Sequence, residues 1–439
     1  MVFKRSLIAA SVAATLLTAG AAHATNGYFS HGFGVKSMGM GGSGVALPND
    51  SAMIMATNPA GITETGTQIN FDISWFHPVR GYSQTSNSGM FNAAAESGSN
   101  NFYIPELSAS YAINDTSSIG IAIYGNGGMN SDYSSTATSL FGAGNSGPFA
   151  VRDPRTGAVM GGGEGGVNLK QMFISPTYAH KFMDGKLSVG ASLLFARQTI
   201  QVKGLSSFDN AMYSANPGHV TGNEVSHSTG WGGKIGVLYH ATDKIALAGS
   251  YQTKMAMSKF DEYSGLFAEG GKFDIPATWT VGGAFKVAPD WTLTADFQRI
   301  NYSKVKSIAN TSTTLGINQL GADNGSGFGW NDVNVVKLGA QWQLSPALQL
   351  RVGFNHGTNP VGSQDVVFNT LAPGVVKNHY TAGFTYALDQ HQELSGAFMY
   401  APDVTVSGSN NAVASYDSST TTTIHMKQYE ATVGYAYKF

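Results

Sequence analysis

Cysteine is absent from the 439 residues, which removes disulfide frameworks, thiolate metal sites and thiol nucleophiles at once. Charge is nearly as scarce: Asp, Glu, Lys and Arg make up 12% of the chain, where about 25% is usual for a soluble protein. An ordinary soluble surface is therefore excluded. With 25 bases against 27 acids there is no basic excess for nucleic acid, and 42% apolar residues is too many for a charged disordered tail. Beyond the N-terminal segment no run approaches the roughly 18 apolar residues of a spanning helix. Neither H-E-x-x-H nor G-x-S-x-G occurs among the scattered histidines and serines.

Glycine is what the chain has in excess, 55 residues, where average usage would give about 31. The first residues carry Lys4 and Arg5, then a small and apolar stretch over 6–20, then Ala22-His23-Ala24. This is the pattern of a secretory leader cleaved after Ala24. An exported, weakly charged, glycine-rich chain without a spanning helix is either a secreted β protein or an outer-membrane barrel.

Period-two alternation favours the barrel. Ile69, Phe71, Ile73 and Trp75 alternate with Gln68, Asn70, Asp72 and Ser74, and Tyr429, Ala431, Val433, Tyr435, Tyr437 and Phe439 repeat the pattern to the last residue. A soluble sandwich would need more Lys and Glu on the polar face. Strands are expected at 68–80, 102–114, 117–125, 169–182, 185–203, 228–241, 243–257, 275–288, 290–304, 332–344, 347–357, 376–388, 391–406 and 424–439. Short turns at Asn114-Asp115, Asp184-Gly185, Thr242-Asp243, Pro289-Asp290, Ser345-Pro346 and Asp389-Gln390 alternate with long Gly, Ser and Asn-rich loops. Even strand number, alternating connections and apolar-out strands define a bacterial outer-membrane barrel, because a sheet in lipid must close to satisfy its edges. The expected fold is all-β: a transmembrane antiparallel barrel of about 14 strands over 67–439, a leader at 1–24, and an N-terminal hatch at 25–66.

The 25–66 segment holds Phe29, Phe33, Met38, Met40, Met53, Ile54 and Met55 with almost no charge, so a place inside the lumen is expected for it. Gly39, Gly41 and Gly44 match G-x-G-x-x-G without the strand, helix and distant acid of a dinucleotide site, so close backbone packing is the reading preferred. Ser51 and its neighbours cap a short helix through Ala56 that Pro59 ends.

The Gly34-x-Lys36-x-x-Gly39-Met40-Gly41-Gly42 run, Asn58-Pro59-Ala60-Gly61 before the first strand, Gly230-Trp231, Ile275-Pro276-x-x-Trp279 and the terminal aromatic together resemble the outer-membrane long-chain fatty acid transporter family, which includes importers of aromatic hydrocarbons. The resemblance implies a monomeric, hatch-plugged barrel that passes hydrophobic molecules from outer loops to a lumen pocket. They would then leave sideways at a kink in the third strand, with lipid and lipopolysaccharide as surroundings and no cofactor. It assigns Asn58, Pro59, Ala60 and Gly61 to the hatch gate beside that kink, and Gly120 and Gly125 to the kinked strand.

Phe33, Met53 and Met55 are the apolar hatch side chains assigned to ligand contact. If Asp184-Gly185 is a hairpin turn, Lys170 faces Thr199, with Arg197 one diagonal step away. These like charges would be relieved by a ligand carboxylate near the outer mouth, given a bulge near Arg197, or by lipopolysaccharide phosphates. Competing functions are a neutral hydrocarbon channel, a general porin and a lipase using His227. A calcium loop from Asp153 to Glu164 is rejected, because Arg155 and Gly157 stand where it wants acids or Asn and Ala158 where it wants Gly.

Overall fold

The computed structural model describes residues 26–88, 92–133, 151–152, 159–160, 165–409 and 418–439. The expected leader, Ala24, Asp153 and Glu164 lie outside these. Fourteen antiparallel strands make the wall: β1 Gln68–Thr85, β2 Phe102–Ala112, β3 Ser117–Asp132, β4 Gly166–Phe182, β5 Leu187–Ile200, β6 Ser226–Thr242, β7 Ile245–Gln252, β8 Thr278–Ala288, β9 Trp291–Ile300, β10 Val333–Gln343, β11 Leu348–Gly357, β12 Asn378–Ala387, β13 Gln392–Ser409 and β14 Thr421–Lys438. Each pairs with the next, and β1 pairs with β14 from Gln68↔Lys438 to Thr85↔Thr421, closing the barrel.

Local chemistry explains the turns. Met183, Asp184 and Gly185 take left-handed backbone (φ 53°, 55° and 86°), which Asp tolerates and Gly favours. The Asn114 side chain accepts from the Thr116 and Ser117 amides at 3.0 and 2.8 Å, and that of Asp389 from the His391 and Gln392 amides at 2.7 and 2.9 Å. These short connections share one end of the barrel with the start of β1 and the end of β14. The long loops lie at the other.

The wall is inverted relative to a soluble protein. Ile69, Phe71, Leu193, Phe195, Trp231, Ile235, Leu293, Leu338, Val352 and Val433 are exposed on its outside, while Gln68, Asn70, Asp72, Glu106, Lys234, Asp296, Lys337, Arg351 and Glu430 are buried inside. Aromatic pairs edge the apolar face at both ends: Trp75↔Tyr103, Tyr251↔Trp279 and Tyr380↔Tyr400↔Tyr429 toward the long loops, and Trp291↔Trp342, stacked at 5.4 Å, toward the turns. Such girdles mark the two membrane interfaces of an outer-membrane barrel.

Residues 26–66 fill the lumen as three short helical turns at 35–38, 52–56 and 59–64. Ser51 caps the second and Asn58, with Pro59 at the first position, caps the third. The glycines of the G-x-G-x-x-G run serve close approach: a Cβ on Gly41 would meet the Phe354 backbone of β11 at 2.9 Å, and one on Gly39 would meet Gly383 of β12 at 3.2 Å.

Candidate transport path

Inward-facing polar groups of the strands hold the 26–66 segment by its backbone. Glu106 accepts from the Gly34 amide (2.7 Å), and Asp296 from Gly44 and Val45 (2.8 and 3.0 Å). Asn70 accepts from Ala52 (2.9 Å) and Thr381 from Gly41 (2.8 Å). Lys337 donates to the carbonyls of His31 (2.8 Å) and Gly42 (3.3 Å), and Lys234 donates to that of Ala56. Sequence reasoning passed over these wall residues, although a charged residue on the inward parity of a strand was a usable signal. At the turn end Lys36 reaches Glu393 at 2.6 Å, and Lys438 bridges Glu393 (2.6 Å) to Asp50 (3.3 Å). Burial pulls the Lys36 ammonium below its ordinary pKa, with Glu393 opposing.

The third strand bends. Its pairing with β2 runs from Ala112↔Ser118 only as far as Leu107↔Ile123. A bulge between Gly125 and Gly127 then carries β3 inward, where Ser30 donates to the Asn126 carbonyl at 3.1 Å and Gly128 donates to that of Tyr28 at 3.0 Å. Glycine is required there, since a Cβ on Gly127 would lie 1.8 Å from the Tyr28 carbonyl oxygen. Beyond Leu107 and Ile123, β2 and β3 make no further ladder pairs, so the hydrogen bonding of the wall is interrupted between residues 102–106 and 124–129. Arg80 bounds this break at its outer end. It is 1% exposed and donates from β1 to Asn130 of β3 through Nε to the carbonyl (2.6 Å) and Nη2 to Oδ1 (2.6 Å). Three further bonds go to Pro78 O (2.8 Å), Asn100 Oδ1 (3.2 Å) and Ser99 O (2.6 Å).

Behind the bend lies a small chamber of about 30 Å³ between the hatch and strands β6 to β10, lined by Phe29, Phe33, Asn126, Lys234, Gln252 and Lys337 among others. The Gln252 Nε2 and Gln298 Oε1 atoms are buried there without a hydrogen-bond partner among the described residues. Above it Tyr28, Phe29, Tyr302 and Trp330 form an aromatic cluster with ring centroids 5.2 to 5.9 Å apart. Burial raises the Tyr28 and Tyr302 phenols well above their ordinary pKa, which keeps both neutral. Among the outer loops Leu205, Leu266, Phe267, Phe328, Phe368 and Leu371 line a small apolar hollow of about 30 Å³.

The candidate residues fall in different places. Phe33 packs edge-on to Tyr124 of β3 at 4.8 Å, and Met53 and Met55 are buried beside it in the hatch. Gly125 stands at the bend, whereas Gly120 is regularly paired with Ser110. A Cβ on Gly120 would meet the Met55 methyl at 2.6 Å, so its role is to let the hatch approach. Asn58, Pro59 and Ala60 do not lie beside the bend as the resemblance implied. They dock on Gly190 of β5 and Gly236 of β6, where Asn58 donates to the Val45 and Val237 carbonyls at 2.9 and 3.2 Å and accepts from Ala60 at 3.1 Å. Gly61 packs on Ile54. The hatch segment that touches the bend is 28–30.

Lys170 faces Thr199 as the hairpin argument expects, but the anticipated bulge near Arg197 is not there. Alternation along β5 is unbroken, with Leu193, Phe195 and Arg197 outward and Leu194, Ala196 and Gln198 inward. Ile200 and Val202 continue the inward face, which itself turns apolar near the outer end. Lys170 and Arg197 therefore stand on the outside of the wall, away from the chamber, and Ser226 beside His227 is buried on the opposite face.

The profile of the family described as outer membrane protein transport protein (OMPP1/FadL/TodX) matches residues 140–439. Among solved structures, the toluene transporter TodX of Pseudomonas putida is 17% identical with a TM-score of 0.64, covering 93% of this chain and 99% of its own. A FadL homologue of Pseudomonas aeruginosa is 14% identical with a TM-score of 0.66, covering 94% and 99%. The toluene transporter TbuX of Ralstonia pickettii is 18% identical with a TM-score of 0.59, covering 93% and 99%. At these identities the likeness is one of fold, and no curated protein sequence matches. The chain belongs to the OMPP1/FadL/TodX family of outer-membrane transport proteins.

Proposed function

We propose that the chain takes up hydrophobic molecules with a polar end, long-chain fatty acids foremost, and releases them sideways through the opening between β2 and β3. The observation that carries this is the departure of β3 from β2 beyond Leu107↔Ile123, next to a chamber walled by the hatch. Cargo settles first on the apolar residues of the outer loops, passes the aromatic cluster and enters the chamber as the hatch shifts to widen it. There Lys234 and Lys337 offer positive charge to a carboxylate while Phe29 and Phe33 cover the chain. Movement of 28–30 away from β3 then clears the opening toward the bilayer. In this reading residues 1–24 are a leader removed after Ala24, 25–66 the hatch and 67–439 the barrel, which acts as a monomer.

Deleting Asn126 removes the extra residue of the bulge and restores regular register from β3 to β4. Uptake of oleate by cells should then fall to background with the barrel still folded and inserted. Uptake at the normal rate would refute lateral release. A second reading, a channel for neutral aromatics, is supported by the Tyr28, Phe29, Tyr302 and Trp330 cluster and by the likeness in fold to the toluene transporters TodX and TbuX. Competition between oleate and toluene for the purified protein separates the two.

A further inference from the structure

Three adjacent strands place bases on the outside of the wall at their outer ends. Lys170 of β4 is half-buried, and Arg197 of β5 and His227 of β6 are exposed. Register stacks them in rows. Lys170 faces Thr199, which faces His227; one row toward the membrane, Met172 faces Arg197, which faces Thr229; the next row is Ile174, Phe195 and Trp231. With neighbouring strands about 4.8 Å apart, the three bases lie within about 10 Å of one another at their backbones. Arg197 Nη2 is 3.4 Å from His227 Nδ1. A guanidinium has no acceptor, so in this contact Nδ1 accepts and the imidazole proton sits on Nε2.

Their height is set by the strand. From Leu187 beside the periplasmic turn to Arg197, the outward residues are Val189, Ala191, Leu193 and Phe195. Ten residues at about 3.3 Å each, tilted about 40°, rise about 25 Å, the height of the apolar band of such barrels. Arg197 is the first charge above that band on its strand, at the level of the outer headgroups. Some other bases near the outer end are matched by carboxylates, as in Arg299 with Asp332 (2.7 Å) and Lys254 with Asp274 (2.9 Å). Lys170, Arg197 and His227 have no carboxylate within ion-pair distance among the described residues. The adjacent like charges of Lys170 and Arg197 are unfavourable unless an anion joins them.

We propose that Lys170, Arg197 and His227 form a clamp for the phosphate of the outer-leaflet glycolipid, lipopolysaccharide. Arg197 offers a planar pair of donors matched to a phosphate, Lys170 a mobile ammonium, and His227 the Nε2 proton, while Phe195 and Trp231 below receive the acyl chains. The proposal rests on the barrel's place in the outer membrane and is independent of which cargo it carries.

The test measures lipopolysaccharide retained by detergent-purified protein, using native mass spectrometry, with intact and with dephosphorylated lipopolysaccharide added back. Wild-type protein should retain the phosphorylated form about tenfold better, as loss of charge-assisted hydrogen bonds implies. The Lys170→Gln, Arg197→Gln double variant should lose that preference, and Lys170→Arg should keep it. Equal retention of both forms by the wild type overturns the clamp and needs no variant to fold. Displacement by millimolar inorganic phosphate also overturns it, in favour of a small-anion site. If the double variant keeps lipopolysaccharide but loses oleate, the pair belongs to the cargo path instead.

Discussion

Arg80 is the residue whose loss should act most selectively on the wall opening. Arg80→Met keeps most of the side-chain volume and removes all five donors, leaving the carbonyls of Asn130, Pro78 and Ser99 facing a thioether. Each buried acceptor left unpaired costs about 1–3 kcal/mol, and water entering beside Asn100 recovers part of it, so a local destabilisation of about 3 kcal/mol is expected. The cost falls on the outer ends of β1 and β3, where Gly98 donates to the Asp132 carbonyl at 2.7 Å, and leaves the ladders closer to the turns intact. Amide exchange at Gly98 should accelerate about 150-fold, the factor that 3 kcal/mol represents. Exchange along β9 to β12 should stay as it was. The opening, freed at its outer limit, should admit bulkier cargo than before. Arg80→Lys should restore protection in part, since one ammonium replaces at most three of the five donors. Unchanged protection at Gly98 in Arg80→Met would refute the idea that this side chain bounds the opening.

Two further perturbations address the hatch and the cargo. Asn58→Ala removes three hydrogen bonds that tie the 58–61 turn to itself, to Val45 and to β6, at a cost of about 1–3 kcal/mol. Cellular uptake should fall while heat-modifiability of the barrel on gels stays normal; full uptake would show that the docked turn is dispensable. Lys234→Met removes a chamber ammonium whose one hydrogen bond is to a hatch carbonyl. Oleate affinity should drop about tenfold or more with toluene binding unaltered, since a hydrogen bond to a charged group is worth about 1.5–3 kcal/mol. An equal loss for both cargoes would mean that Lys234 shapes the chamber and does not read charge.

Much of the wall was legible because its determinants are local. Side-chain direction alternates with every residue, so Ile69 to Trp75 and Val433 to Phe439 declare an apolar outer face without any knowledge of their neighbours. Tight turns fix hairpin register, which is why Lys170↔Thr199 follows from Asp184-Gly185. The same parity already held the answer for Arg197, which shares its face with Leu193 and Phe195. Supposing a bulge to bring it inward set aside the simpler local rule. Strand ends near the outer loops were placed less well. β1 runs to Thr85 and β3 to Asp132, past the expected 80 and 125, because their outer halves, which lack clear apolar alternation, are held by pairing with the distant segments 421–425 and 166–171.

By itself, then, the sequence determined the number of strands, the face each turns to lipid, the alternation of short and long connections and the presence of an uncharged, glycine-rich N-terminal segment that required shelter. These follow from period-two patterning and turn chemistry over a few residues. Only the tertiary structure decided that Asp296, Lys337 and Glu106 grip the hatch backbone, that Asn58 docks on β6, and that β3 exchanges β2 for residues 28–30 at its bulge. Those contacts join residues tens to hundreds of positions apart, and the geometry of a closed lumen, which no local pattern encodes, brings them together.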